Sequence, residues 1–282
     1  MTRASGALLQ RFLPQRLLCR CVYFLARTRV AWIKGPLIRW FSGHYGIDMS
    51  EAERARADDY ATFNEFFTRA LKPGARPIDD SSDSIVAPSD GTLMEFGALD
   101  RDSMLQAKGM TYSLMALLGE DSPEVGTFID GSYATIYLAP RDYHRVHAPV
   151  AGRLLRARYI PGERYSVNGA TARVVPNLFC RNERVVCWLE ADFGRVAAVL
   201  VGALNVSSIS ITGRGEVPSG AAHTWQPPEH LRLSKGAELG RFNLGSTVVA
   251  LFPRGAIRLD QRLARGARLL MGARIGQILP AQ

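Results

Sequence analysis

Three short stretches hold the residues from which covalent chemistry could be assembled. Asp90 sits in Pro88-Ser89-Asp90-Gly91-Thr92, His144 and His147 in Tyr143-His144-Arg145-Val146-His147-Ala148-Pro149, and Ser246 in Leu244-Gly245-Ser246-Thr247. Each alone has an ordinary reading: Asp before Gly forms turns, a histidine near a strand end is often a satisfied structural group, and Gly-Ser is found in many loops. Jointly they supply a nucleophilic hydroxyl, a base and a carboxylate to orient the base, and such triads are recognised by roles and not by chain order. A conventional serine hydrolase is disfavoured, because Leu244 and Val248 occupy the two glycine positions of the G-x-S-x-G elbow. Cys19, Cys21, Cys180 and Cys187 contain no C-x-x-C and are too few for a disulfide framework, so a reducing compartment is expected. His44, His144, His147, His223 and His230 do not make a zinc-ligand pattern, and no metal is expected.

Helices and strands divide the chain that must position these groups. Helical texture dominates residues 1–72: a basic front, an acidic turn at Ser50-Glu51-Ala52-Glu53, and an aromatic helix over Tyr60–Phe67 running towards Pro73-Gly74. From Ile85 onward, short apolar runs bounded by Gly, Pro, Asp and Asn read as strands: Ile85–Ala87, Tyr133–Leu138, Leu154–Ile160, Arg184–Glu190, Arg195–Val201, Ser207–Thr212 and Thr247–Phe252. Leu105–Leu118 reads as a helix weakened by Gly109. A faint echo, A-P-x-x-G-x-L, occurs at Ala87–Leu93 and again at Ala148–Leu154, each a place for strand, turn and strand. The expectation is an α+β protein: a β-rich, barrel- or sandwich-hybrid-like core over 73–282, preceded by a helical N-terminal region. Biotinyl- and lipoyl-type hybrid barrels share this rhythm, but Lys235 lacks the surroundings of their modified lysine, which argues against a carrier.

Charge separates the same two regions. Of the net +9 over 282 residues, +8 lies between Met1 and Ile47, where eight basic residues meet no acid. These alternate with Leu17, Leu18, Val22, Phe24, Leu25, Trp32, Ile33, Leu37, Ile38, Trp40 and Phe41. At about 100° per residue, Arg16, Arg20 and Arg27 fall within about 40° of one another, opposite Leu18, Val22 and Leu25. The pattern is that of an amphipathic helix lying on an anionic membrane, with Tyr23, Trp32, Trp40 and Tyr45 at headgroup depth. No run approaches the roughly 20 apolar residues of a membrane span, and the arginines break up any secretory signal. A mitochondrial transit peptide and a helical pair that merely covers the main domain both remain open. Basic residues confined to one apolar-rich end do not suit a nucleic-acid binder.

Phe63-Asn64-Glu65-Phe66-Phe67-Thr68-Arg69, Pro88-Ser89-Asp90-Gly91, Tyr143–Pro149 and Phe242-Asn243-Leu244-Gly245-Ser246-Thr247-Val248-Val249 together resemble the phosphatidylserine decarboxylase proenzymes, over essentially the whole chain. The resemblance implies that the Ser246 hydroxyl attacks the Gly245 carbonyl, that the ester so formed is split by β-elimination, and that hydrolysis of the resulting dehydroalanine leaves an N-terminal pyruvoyl group. The products would be chains 1–245 and 246–282, held together as a heterodimer, with any higher homo-oligomer left open. It further implies that His147 is the base of self-cleavage and Asp90 the group fixing its tautomer, so that removing either leaves an uncut 31.0 kDa chain. The covalent pyruvoyl group, with no metal and no PLP, would condense with phosphatidylserine as a Schiff base and release phosphatidylethanolamine, with His144 as the proton donor. Residues 1–40 would then hold the enzyme peripherally on the cytoplasmic face of the cell membrane, and their deletion should weaken liposome binding more than self-cleavage. A pyruvoyl decarboxylase of a soluble amino acid and a non-catalytic membrane-binding β module are the competing readings.

Overall fold

Arg184–Ala191 and Gly194–Gly202 are runs of Val, Leu, Ala, Cys and Trp with almost no polar alternation, the pattern of strands covered on both faces. The computed structural model describes residues 15–107, 109–119, 123–203, 208–243 and 246–280, and in it these runs lie inside a nine-stranded antiparallel sheet. We label its main strands β1 (Gly91–Ala98), β2 (Ser132–Leu138), β4 (Gly152–Ile160), β5 (Arg184–Ala191), β6 (Gly194–Gly202) and β9 (Ser246–Phe252). The order across the sheet is His223–Trp225, β4, β5, β6, β9, β2, β1, Arg268–Leu269, with Arg232–Leu233 also on β4. A smaller sheet holds β3 (Arg145–His147), β7 (Ile209–Ile211) and β8 (Glu238–Phe242), in the order Gly215–Glu216, β7, β8, β3. The molecule is thus β-rich α+β as expected, but its sheets are open layers and none closes into a barrel among the described residues. Trp188, Phe179, Phe242 and Leu200 are fully buried in the main core. Each such side chain stabilises the fold by about 1.5–3 kcal/mol relative to exposure.

Two expected elements change type. Leu105–Leu118 is not one helix: Ser103–Ala107 and Met110–Ser113 form a hairpin, and only α4 (Leu114–Leu118) is helical, capped where the Ser113 hydroxyl accepts from the Ala116 N–H at 3.0 Å. Gly109, at φ +79, permits the reversal that the apolar count concealed. The Tyr60–Phe67 helix is likewise shorter. A 3-10 turn at Ala57–Asp59 precedes it, and α3 spans Phe63–Phe67 behind a Thr62 cap.

At the front, α1 (Gln15–Ala26) and α2 (Ala31–Tyr45) pack on α3. Ala26, Ile38, Phe63, Phe66 and Phe67 are buried together, with Phe41 edge-on to Phe63 at 5.0 Å. Arg27 lies one residue beyond α1, so it does not share a helical stripe with Arg20, and the side chain of Arg16 falls outside the described residues.

The two A-P-x-x-G-x-L copies occupy equivalent places and bond to each other. The Val86 N–H donates to the Pro149 carbonyl at 3.0 Å, and the His147 N–H to the Pro88 carbonyl at 2.7 Å. Each copy also pairs with a later strand in matching register: Ile85 opposite Gly276 in one, Val146 opposite Gly240 in the other. The segments leading into those partner strands echo one another as Arg232-Leu233-Ser234-Lys235-Gly236-Ala237 and Arg268-Leu269-Leu270-Met271-Gly272-Ala273. Gly236 and Gly272 have φ +79 and +86, and their N–H groups donate to the Ala148 and Ala87 carbonyls. A Cβ on Gly236 would run into the Ile78 side chain and one on Gly272 into the Pro77 carbonyl, so the same short segment packs against both.

Candidate active site

His147 ends β3 and is buried at 7% exposure. Its Nδ1 lies 2.8 Å from the Gly236 carbonyl oxygen, which can only accept, so Nδ1 carries the proton. In the neutral ring, Nε2 is therefore an acceptor, and the Tyr143 hydroxyl donates to it at 3.0 Å. Burial lowers the pKa of His147, opposed by its bond to Gly236, and burial pushes Tyr143 up to about 12. The result is a neutral imidazole with its basic lone pair pointed at a phenol.

Asp90 precedes β1 and is fully buried. Arg76 grips its carboxylate, from Nε at 2.9 and 3.0 Å and from Nη2 at 2.6 Å, and the Met271 N–H donates to Oδ1 at 2.8 Å. Arg76 also bonds Glu51 at 2.8 Å, and the two carboxylates hold its guanidinium well above the usual arginine range. Asp90 makes no hydrogen bond to His147 here; it acts on the imidazole through space. The atom that fixes the His147 tautomer is the Gly236 carbonyl.

Ser246 opens β9, between Gly202 of β6 and Leu138 of β2. It is 1% exposed and its hydroxyl has no hydrogen-bond partner, a costly state for a buried polar group and one that calls for an explanation. On the far side of β2, Thr92 pairs with Tyr137, and a Cβ on Gly91 would collide with the Tyr137 carbonyl. Ser246 and the Asp90–Gly91 turn thus enter the same end of the sheet two strands apart, about 10 Å at ordinary strand spacing. The structure brings Asp90, His147 and Ser246 to one end of the sheet system without joining them by hydrogen bonds. Gly245 and Leu244 lie outside the described residues.

His144 immediately precedes β3, which runs on to His147 with no turn between them; the irregularity lies in the partner strand β8, where the register shifts between Glu238 and Gly240. Its ring stacks on Phe67 of α3, centroids 4.0 Å apart. Burial, reinforced by the nearby Arg69 charge, pushes its pKa down to about 3. The Ala139 and Pro140 carbonyls oppose that shift without making hydrogen bonds of full geometry, and neither ring nitrogen has such a bond. Arg145 is committed to the Thr68 carbonyl at 2.9 Å and to Glu238 at 2.8 Å. Lys235 is tied to Ser81 and Ser84 at 2.6 Å, unlike a carrier lysine at a free hairpin tip.

Sequence reasoning assigned no part to Tyr143, Gly236, Arg76 or Asn64. Tyr143 stood inside a quoted motif, and the Gly236 position was signalled by the repeat of R-L-x-x-G-A, which could have been found by comparing the chain with itself. A cavity of about 600 Å³ opens beside Asn243, walled by Asn64, Thr68, Ser210, Thr212 and Arg241. Its size suits a small polar ligand.

Comparison with known proteins adds independent findings. A family model described as Phosphatidylserine decarboxylase matches residues 63–277, and a second, described as PSD, matches residues 6–46. A phosphatidylserine decarboxylase proenzyme of Alcanivorax borkumensis is 47% identical over 273 residues, covering 95% of this chain and 94% of that protein. Proteins of the same name from Shewanella amazonensis and Vibrio cholerae are 49% identical over 256 residues and 46% identical over 271, covering 88% and 94% of this chain and 89% and 95% of theirs.

Proposed function

The chain belongs to the phosphatidylserine decarboxylase family, and on that premise we propose that it is a proenzyme that cuts itself before Ser246 and then decarboxylates phosphatidylserine to phosphatidylethanolamine. The observation that carries the reading is the Ser246 hydroxyl, buried without a partner at the head of a strand whose every residue is buried. In an ordinary strand such a hydroxyl is a defect; in this reading it is the nucleophile. Its oxygen bonds to the Gly245 carbonyl carbon, the peptide C–N bond breaks, and the freed nitrogen takes up a proton. Loss of the Cα proton with rupture of the Cβ–O bond then releases residues 1–245 with a carboxylate terminus. Addition of water and departure of ammonia leave a pyruvoyl group at 246.

His147 is placed in this scheme as the base, after Tyr143 yields the Nε2 lone pair. Asp90, held by Arg76, would favour the imidazolium that forms, through space. Ser246 suits the group it would become: glycine before it leaves the attacked carbonyl uncrowded, and no Cβ methyl blocks attack. The pyruvoyl carbonyl, once present, supplies the electron sink for loss of CO₂ from an amino-acid headgroup. His144 is assigned to return a proton to carbon. Burial holds it neutral in the uncut chain, so this role requires that it first take one up as the pocket opens.

The front of the molecule supports work at a lipid surface. Trp32, Trp40, Phe24 and Leu25 are 78%, 59%, 61% and 48% exposed beside Arg20, Arg29 and Arg39, apolar groups and cations together. No helix among the described residues is long and apolar enough to cross a membrane. We therefore place the enzyme peripherally on an anionic, cytoplasmic membrane face.

Denaturing mass spectrometry of the purified protein tests the reading. The expected result is a fragment starting at residue 246 with a blocked, hydrazine-reactive terminus, and an intact chain in Ser246→Ala. A wild-type chain that stays whole overturns it. Turnover of free serine as fast as of phosphatidylserine in vesicles would replace the lipid with a soluble substrate.

A further inference from the structure

Asn243 stands three residues before Ser246 and is held from three sides. Its backbone N–H donates to the Ser208 carbonyl at 2.9 Å, and its side-chain nitrogen donates to the Ser208 and Ser210 hydroxyls at 2.7 and 3.2 Å. Its remaining side-chain acceptor, Oδ1, receives the amide of Asn64, 3.0 Å away on α3 and 179 residues distant in sequence. Asn64 itself is peculiar: its Oδ1 is buried without a partner, so its amide is kept in place at the expense of an unsatisfied acceptor. On the other side of the cut position, Ser246 is locked between β6 and β2. The segment that carries the scissile carbonyl therefore runs between two anchors, one made by the sheet and the other by the Asn64–Asn243 pair.

We propose that Asn64 is a positioning residue for self-cleavage: by clamping Asn243 it sets where the carbonyl before Ser246 lies relative to the attacking hydroxyl. The inference rests on the self-cleavage reading above. Acyl transfer between neighbouring groups demands reacting atoms about 3–3.5 Å apart, and a displacement of about 1 Å costs about a hundredfold in rate. Loosening one of two anchors is such a displacement. Serine hydroxyls donate as well as accept, so Asn243→Asp can keep its bonds with Asn64, Ser208 and Ser210, with Ser208 and Ser210 reversed in role. Asn243→Leu cannot.

The test is the half-time of splitting of freshly translated full chains, followed on denaturing gels. Asn64→Ala and Asn243→Leu should slow splitting at least about tenfold, and Asn243→Asp should stay within about threefold of wild type. Neutral hydroxylamine, which cleaves esters, should not restore the rate of Asn64→Ala, because the clamp acts before the ester exists. In the uncut Ser246→Ala background, Asn64→Ala should melt within about 3 °C of its parent. Splitting of Asn64→Ala at the wild-type rate, rescue by hydroxylamine, or a large fall in melting temperature that accounts for the slowing would each overturn the proposal. A wild-type chain that never splits overturns the underlying reading and this inference with it, whereas normal wild-type splitting beside an unaffected Asn64→Ala overturns this inference alone.

Discussion

With Nδ1–H committed to Gly236 and Nε2 receiving the Tyr143 hydroxyl, His147 is bonded in a way that favours its neutral form. Removing the donor relieves that preference, so Tyr143→Phe should raise the His147 pKa and move the acid limb of the self-cleavage pH profile upward by about half a unit to one unit. A limb that stays in place would show that Tyr143 does not act on the base. His144 gives a stability prediction with the opposite readout. Its pKa falls from 6.5 to about 3 on folding, so between those values the unfolded chain binds a proton that the folded chain refuses. Stability is therefore complete above pH 6.5 and declines as pH drops through the window, by about 1.4 kcal/mol per unit. In the Ser246→Ala chain, His144→Gln should lose less stability between pH 6.5 and 5, by about 1–2 kcal/mol in urea unfolding. The residue types of Asp90, His144, His147 and Ser246 advertised chemistry in the sequence. What holds them did not: the tautomer is fixed by a backbone carbonyl 89 residues from His147, and the partner of Asp90 is an arginine outside every quoted motif. Backbone acceptors carry no sequence signature.

Helix α2 serves two faces at once. Ile38 is fully buried against the aromatic cluster of α3, which in turn carries the ring stacked on His144, while Trp32 and Trp40 stand in solvent. Deleting residues 1–40 would pull Ile38 out of that cluster and disturb the site along with the surface, which makes truncation a poor separator of the two roles. Trp32→Ser with Trp40→Ser is cleaner. The double variant should bind vesicles containing anionic phospholipid at least about fivefold more weakly in sedimentation, with self-cleavage unchanged, since interfacial tryptophans contribute through apolar area and headgroup contacts. Equal binding would remove the tryptophans from the membrane contact. The long strands were legible because buried runs of Val, Leu and Ala have few other readings at that length. The Ser103–Ser113 hairpin was not, since four to five residues on each side of a Gly match helix and strand patterns alike, and the positive φ at Gly109 decided between them.

Across the whole molecule, two copies of one strand-turn-strand unit exchange backbone bonds, and their inequivalence is where the site arises. Asp90 comes from one copy, where the other has Ala151; His147 comes from the second, where the first has Val86. Half of this repeat reads in the sequence as A-P-x-x-G-x-L; the R-L-x-x-G-A half is there too, but its role shows only when the registers are compared. The proposed cut divides the chain just before β9, which lies between β6 and β2 with every residue buried. Arg268–Leu269 of the same 37-residue piece pairs with β1, and Arg274–Ile278 with Ser84–Val86. The pieces should therefore co-elute in gel filtration at nanomolar concentration and part only in denaturant; separation in plain buffer would contradict so central a strand. A deeper asymmetry follows from where that strand sits. The uncut chain can unfold and find its way back, but the mature pair, once melted, must reassemble a sheet from two strangers and has no second serine to spend. Its durability is then a matter of barrier height and elapsed time, so the apparent melting temperature of the working enzyme should depend on heating rate and that of the Ser246→Ala precursor should not.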